Sequence, residues 1–279
     1  MRLATIFHRW FHIPYRLSID RVTRGKNSRA TILFIHGIGN SGQAWDKVIS
    51  KLPDDITTVT IDLLGFGTSP RPKEATYNAI TQARSVFMTL LLKRWKGPLI
   101  VVGHSMGALV AVELARRHPR LIRRLILCSP PFYVPDPEKK RLIPTPDGMR
   151  RGVYTAVSQR PERFIKLASV AMKYTLVNKS FNVNADNVDS YMAALHGMII
   201  NQTAFDDAQQ LTVPTHIIKG ALDPLIVPRN IKALVKLNSY ITCSTILAGH
   251  EVQGVFVSAV IDTLKKELRK SPVKGRGTV

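Results

Sequence analysis

The stretch Leu99 to Gly107 constrains this chain more than any other. An apolar run, Leu99-Ile100-Val101-Val102, ends in Gly103-His104-Ser105-Met106-Gly107 and passes directly into a helix-type run from Leu109 to His118. A strand that becomes a helix within so few residues turns on a strained backbone, and the serine at the apex is lifted clear of the sheet. Glycines are needed on both sides, because side chains at Gly103 and Gly107 would collide with the crossing strand and helix. The helix start aims backbone N–H donors and its positive dipole end at the hydroxyl. The plain alternative is a glycine-rich loop that happens to hold a serine. The flanking strand and helix patterns argue against it.

The rest of the chain repeats the same alternation. Tyr15 to Val22 reads as an edge strand, and Thr31 to Ile35, Thr57 to Asp62 and Leu121 to Cys128 as buried ones. Gly42 to Leu52 and Tyr77 to Trp95 read as helices between them. Strands alternating with helices predict an α/β fold, a parallel sheet with helices on both faces. Ligands then belong at the carboxyl ends of the strands. His36-Gly37-Ile38-Gly39, Asp62 to Ser69 and the Ser105 turn all fall there. Asp62 reads as structural, fixing its tight loop by accepting backbone hydrogen bonds.

The rhythm breaks at Ser129. Pro130, Pro131, Pro135, Pro137, Pro144 and Pro146 punctuate a connection that cannot be helical throughout. Helix-like segments follow at about 148–177 and 184–210, with no strand between them. Residues 131–210 are therefore expected to form a helical cap over the rim, with 1–130 and 211–279 as the core. The sheet resumes over Val213 to Gly220, followed by a helix over Arg229 to Leu237, a strand over Ile241 to Leu247 and a helix over about 252–268. Residues 1–12 suggest a short amphipathic helix packed on the core, and 269–279 a disordered basic tail.

Composition narrows the function classes. With 279 residues, 45% of them hydrophobic, the chain has room for one large domain with an insertion. Cys128 and Cys243 lie in apolar strand-like runs and read as buried thiols, which suits a reducing, cytoplasmic setting. Met1 to Phe11 is a poor signal peptide, broken by His8 and Arg9, and no run approaches transmembrane length. The formal charge of +21 favours anionic substrates by steering and permits weak adhesion to nucleic acid or lipid. The basic residues are scattered, with one tail cluster, and no zinc-ligand spacing or aromatic RNA-binding motif accompanies them. They read as a solvated surface, so a nucleic-acid partner is not expected. The oligomeric state is left open.

Two residues downstream complete a chemical set. Asp223 and His250 each stand just past a strand, on the rim that holds Ser105. A serine hydroxyl needs a base to take its proton as it attacks, and imidazole titrates near neutrality. A carboxylate on the other ring nitrogen fixes the tautomer and stabilises the imidazolium. Asp136 is the rival acid. The backbone N–H groups of Met106 and Ile38 are the candidate oxyanion donors. His36 and Gly37 in the glycine loop, with Met149, Met172, Met192 and Met198 in the helical block, are candidates for lining a hydrophobic substrate pocket. Ordinary packing explains the same methionines. The cap arginines and lysine, Arg150, Arg151, Arg160, Arg163 and Lys166, could draw in an acidic acyl group. No metal site is expected.

These motifs resemble the α/β-hydrolase family with a cap domain, from about residue 13 to 268. The resemblance rests on His36 to Gly39, Asp62 to Ser69, Gly103 to Gly107, Asp223 and Gly249-His250. It implies an eight-stranded, mostly parallel sheet, no cofactor, a Ser105–Asp223–His250 triad and an Ile38–Met106 oxyanion hole. Serine at position 105 argues against the dehalogenase and epoxide hydrolase relatives, which use aspartate there. Glu251 replaces the tryptophan common in carbon–carbon bond hydrolases, and Met106 and Ala108 depart from the perhydrolase pattern. The expectation is a serine hydrolase acting on small-molecule carboxylic esters. Carbon–carbon bond hydrolase, lactonase, thioesterase and perhydrolase are the alternatives, and a non-catalytic ligand receptor or scaffold is the reading of another class.

Overall fold

The computed structural model describes residue 8 and residues 13–95, 98–134, 146–160, 162, 165, 166 and 180–269. The seven apolar runs read from the sequence each become a strand: β1 (Ile19–Thr23), β2 (Ala30–Ile35), β3 (Ile56–Ile61), β4 (Leu99–His104), β5 (Ile122–Cys128), β6 (Thr215–Gly220) and β7 (Ile241–Ile246). They form one sheet in the order β1-β3-β2-β4-β5-β6-β7. Only β1 is antiparallel to its neighbour; every other pair is parallel. Seven strands stand among the described residues, not the eight that the family resemblance implied. No apolar run in the sequence called for the eighth.

Every residue of β3 and β4 is buried, as a strand covered on both faces must be. Alternate side chains feed two cores. Leu33, Ile35, Val59, Val101 and Leu125 face one layer, and Ile32, Phe34, Ile100, Val102 and Ile126 face the other. The first layer is completed by α2 (Ala79–Leu92) and α3 (Met106–Arg117), the second by α1 (Asp46–Ile49) and α8 (Val255–Arg269). Each fully buried aliphatic side chain contributes about 1.5–3 kcal/mol. In α3, Met106 through Ala115 are all buried, and the small Ala108, Ala111 and Ala115 let it lie close on the sheet.

The element ends differ from the sequence expectations for local reasons. β1 starts at Ile19, because the N–H groups of Tyr15 and Leu17 donate to Ser85 Oγ (3.2 Å) and Thr89 Oγ1 (2.8 Å) of α2 instead of to a strand. The helix expected from Gly42 is a 3-10 turn, Gly42–Trp45, that runs into α1. Gly254, at φ +51°, delays α8 to Val255.

Between β5 and β6 the described residues form α4 (Pro146–Ser158), α5 (Val188–Ala194), a π-helical turn (Leu195–Ile200) and α6 (Ala204–Gln209). The π-helical turn brings Gly197 so close to the loop before α2 that a Cβ there would lie 2.7 Å from Tyr77 O. α6 sits lower: Asn238, at the end of α7 (Pro228–Leu237), donates to Ala208 O, Gln209 O and Leu211 O. The helix expected over residues 1–12 lies, apart from His8, outside the described residues, as do Asp136, Arg163, Met172 and residues 270–279.

Candidate active site

The sheet order places β2 beside β4, so the connection leaving β2 runs toward β3 and the one leaving β4 runs the other way toward β5, opening a crevice at the carboxyl ends. Ser105 stands at this crevice. Its backbone is at φ +52°, ψ −120°, outside the conformations that an L-residue prefers. The neighbouring glycines make that turn possible. A Cβ at Gly103 would lie 2.5 Å from Gly107 O, and one at Gly107 would lie 2.4 Å from both Ile35 O and His36 O. The Ser105 N–H donates to Cys128 O at 2.9 Å, tying the apex to β5.

His250 and Asp223 converge on it. His250 Nδ1 is 2.8 Å from Asp223 Oδ2, and His250 Nε2 is 2.9 Å from Ser105 Oγ. A carboxylate only accepts, so Nδ1 carries the hydrogen and the neutral ring leaves Nε2 free to accept from the serine hydroxyl. Asp223 is buried, which by itself would raise its pKa. The hydrogen bond and charge of His250, the Ser129 hydroxyl and the Leu225 N–H outweigh that and hold the carboxyl below its ordinary range. The Leu225 N–H reaches Asp223 Oδ1 at 2.9 Å.

The glycine loop lies against Ser105. A Cβ at Gly37 would stand 3.3 Å from Ser105 Cβ, so Ile38, the next residue, is at the rim. Met106 opens α3, where the first N–H groups have no partner within the helix. His36 is not available to a ligand. It is fully buried, its Nδ1 is 2.7 Å from Gly37 O, and its Nε2 accepts the Leu63 N–H at 2.9 Å. Asp62 holds its loop as expected, Oδ1 accepting the Gly42 N–H and Oδ2 the Thr68 N–H, both at 2.8 Å.

The methionines divide. Met198 is buried in the core, Met192 is half-buried against it, and Met149 is 59% exposed. An open cleft of about 630 Å³ beside His250 is walled by Pro224, Leu225, Leu247, Gln253 and Val255, with none of those three methionines. Arg150 spends its guanidinium on backbone carbonyls, Pro224 O at 2.9 Å and Pro146 O at 3.1 Å.

Two contacts at the rim carried no sequence signal. The Phe181 ring lies over Gly39, where a Cβ would come within 2.4 Å of it, and the Asn182 N–H donates to Gly39 O at 2.8 Å. The Tyr133 hydroxyl donates to Leu225 O at 2.5 Å, bracing the Asp223 loop. Both pair residues distant in the chain, and neither phenylalanine nor tyrosine announces such a partner. Among the described residues, no group of three or more His, Cys, Asp or Glu is arranged to hold a metal ion. No described helix is long and apolar enough to cross a membrane.

Known proteins are similar to this chain in sequence and in fold. The model of a family described as the alpha/beta hydrolase fold matches residues 30–256. The chain is 35% identical over 125 residues to "Probable lysophospholipase BODYGUARD 3" of Arabidopsis thaliana, covering 43% of this chain and 25% of that protein. It is 37% identical over 106 residues to lipase LipV of Mycobacterium tuberculosis, covering 38% of this chain and 39% of the lipase. These matches thus span well under half of the relatives' own length. A thermophilic esterase from Thermogutta terrifontis superposes with a TM-score of 0.70 at 21% identity, covering 91% of this chain and 94% of the esterase.

Proposed function

Because the chain belongs to the alpha/beta hydrolase fold family, we propose that it is a serine hydrolase cleaving carboxylic esters through an acyl-enzyme. The observation that carries this reading is the continuous line from Asp223 through His250 to Ser105, with gaps of 2.8 and 2.9 Å. Ser105 Oγ attacks the ester carbonyl as His250 Nε2 takes its proton. The oxyanion forms against the N–H groups of Ile38 and Met106, each contributing roughly 3 kcal/mol to the transition state. The imidazolium, stabilised by Asp223, returns the proton to the departing alcohol. Water, activated by the same imidazole, then attacks the acyl-enzyme and releases the acid and the free serine.

The lipase and lysophospholipase names among the relatives support an ester as the bond broken. The segment 131–210 acts in this reading as the cap that shapes the substrate side, since Phe181 packs on the glycine loop after β2 and the π-helical turn packs on the loop before α2. Ser105→Ala should lower kcat on a chromogenic acyl ester by roughly six orders of magnitude and leave the melting transition in place. A fluorophosphonate probe should label the wild-type chain at Ser105 and not the variant. An unlabelled wild-type chain would favour a binding role over catalysis.

A further inference from the structure

The residue just before the nucleophile has no part in the steps above. His104 is 4% exposed, and its Nε2 lies 2.9 Å from the backbone carbonyl oxygen of His250. A carbonyl can only accept, so Nε2 carries the hydrogen and donates it. The other side of the ring faces the glycine loop, where a Cβ at Gly37 would come within 3.0 Å of His104 Nδ1. One ring thus lies between the loop after β2 and the loop after β7, and it closes the strand that leads into Ser105. The loop after β7 has an open outer side. Leu247 is 75% exposed, and Cβ atoms built at Gly249 and Gly254 would meet nothing within 4 Å.

We propose that His104 is a positioning residue: its Nε2–H anchors the backbone of His250 and so sets the reach of that imidazole to Ser105 and Asp223. The proposal rests on the triad reading above. The anchor suits a base that must keep two hydrogen bonds at once, because a misplacement of about 1 Å can cost roughly 100-fold in rate. Burial first, and then the neighbouring His250, push the His104 pKa down to about 3, so the ring stays a neutral donor and sets no second positive charge beside the base. The ordinary alternative is a buried ring that only fills space.

Two variants separate donor from volume. His104→Phe keeps the ring and removes the donor, whereas His104→Gln keeps an N–H donor and loses the ring. On the full chain, His104→Phe should lower kcat and the rate of fluorophosphonate labelling about 100-fold, with KM nearly unchanged. His104→Gln should stay within about 10-fold of wild type. Amide hydrogen exchange over residues 247–254 should quicken in the Phe variant and return toward wild type in the Gln variant. Activity kept by Phe and lost by Gln would mean a space-filling role and overturn the proposal. So would unchanged exchange over 247–254 in the Phe variant. Absence of Ser105-dependent labelling in the wild type would instead remove the triad reading, and the exchange arm would still decide whether His104 holds the loop. His104→Leu serves if the Phe variant does not fold.

Discussion

At the strand ends, Asp62 accepts the Gly42 and Thr68 N–H groups, His36 accepts that of Leu63, Gln82 Oε1 accepts that of Leu64, and His104 donates to His250 O. In the described part of the segment between β5 and β6, the Phe181 ring lies over Gly39, the Asn182 N–H donates to Gly39 O at 2.8 Å and Ser180 Oγ donates to Asn40 Oδ1 at 2.9 Å. Met198 and Tyr191 are buried in the core, and Met192 is half-buried against it. The lower half of the site is fixed by buried, directional hydrogen bonds; the described part of the upper half adds apolar packing to its hydrogen bonds at the glycine loop. A hydrogen bond to a buried group fixes a distance and an angle, and leaving it unmade costs about 1–3 kcal/mol. Apolar packing fixes a volume and accepts several side chains of similar size. In the proposed mechanism the chemistry falls to the hydrogen-bonded half, and substrate fit to the half where packing takes the larger share.

The sharpest way to break this comparison is to alter one hydrogen bond below without altering volume. Asp223→Asn keeps the shape but can donate to His250 Nδ1, favouring the tautomer whose Nε2–H no longer accepts the Ser105 proton. Ester turnover should fall by about four orders of magnitude in kcat, while urea denaturation shows a folded chain. A loss smaller than about 10-fold would mean that Asp223 does not orient the base.

Deleting volume above should act on stability first. Met198→Ala should cost about 2–5 kcal/mol of unfolding free energy, because the buried side chain leaves a cavity. Met149→Ala, at a site 59% exposed, should stay within about 0.5 kcal/mol. Chemical denaturation of both variants measures the difference. Equal losses would mean that exposure in this segment does not report packing.

The same contrast explains what the sequence made legible. Strand and helix periods, and the sterics of Gly103 and Gly107, are local, so the seven strands and the Ser105 turn could be read directly. Asp223 and His250 could be placed because each follows a strand whose end had to meet the same crevice. Met198 could not be assigned a face, since it lies inside the π-helical turn at Leu195–Ile200 that interrupts the helical pattern expected over 184–210. His36 was expected to meet substrate and instead bonds to Leu63, 27 residues away; His104 bonds to a carbonyl 146 residues away. Such pairings depend on how the loops come together in space, which periodicity does not encode.

Acid offers a smaller and more selective test of the lower half. Burial lowers the pKa of both His36 and His104, so the folded state resists protonation that the unfolded chain accepts near pH 6.5. The folded state binds fewer protons below that point, so the stabilisation is fully present above about pH 6.5 and declines as the pH falls. Each such histidine contributes a slope of about 1.4 kcal/mol per pH unit until its folded pKa is reached. His118, also lowered by burial but only partly buried, adds less. Asp223 works in a separate window: with its pKa lowered in the fold, its contribution is present above about pH 3.9 and lost below it. Urea denaturation at several pH values between 6 and 4.5 therefore isolates the histidines. His104→Gln should flatten the stability slope by about 1.4 kcal/mol per pH unit across that window, leaving the share of His36. An unchanged slope would show that His104 takes up its proton in the fold as readily as in the open chain, and the neutral donor beneath His250 would have to be given up.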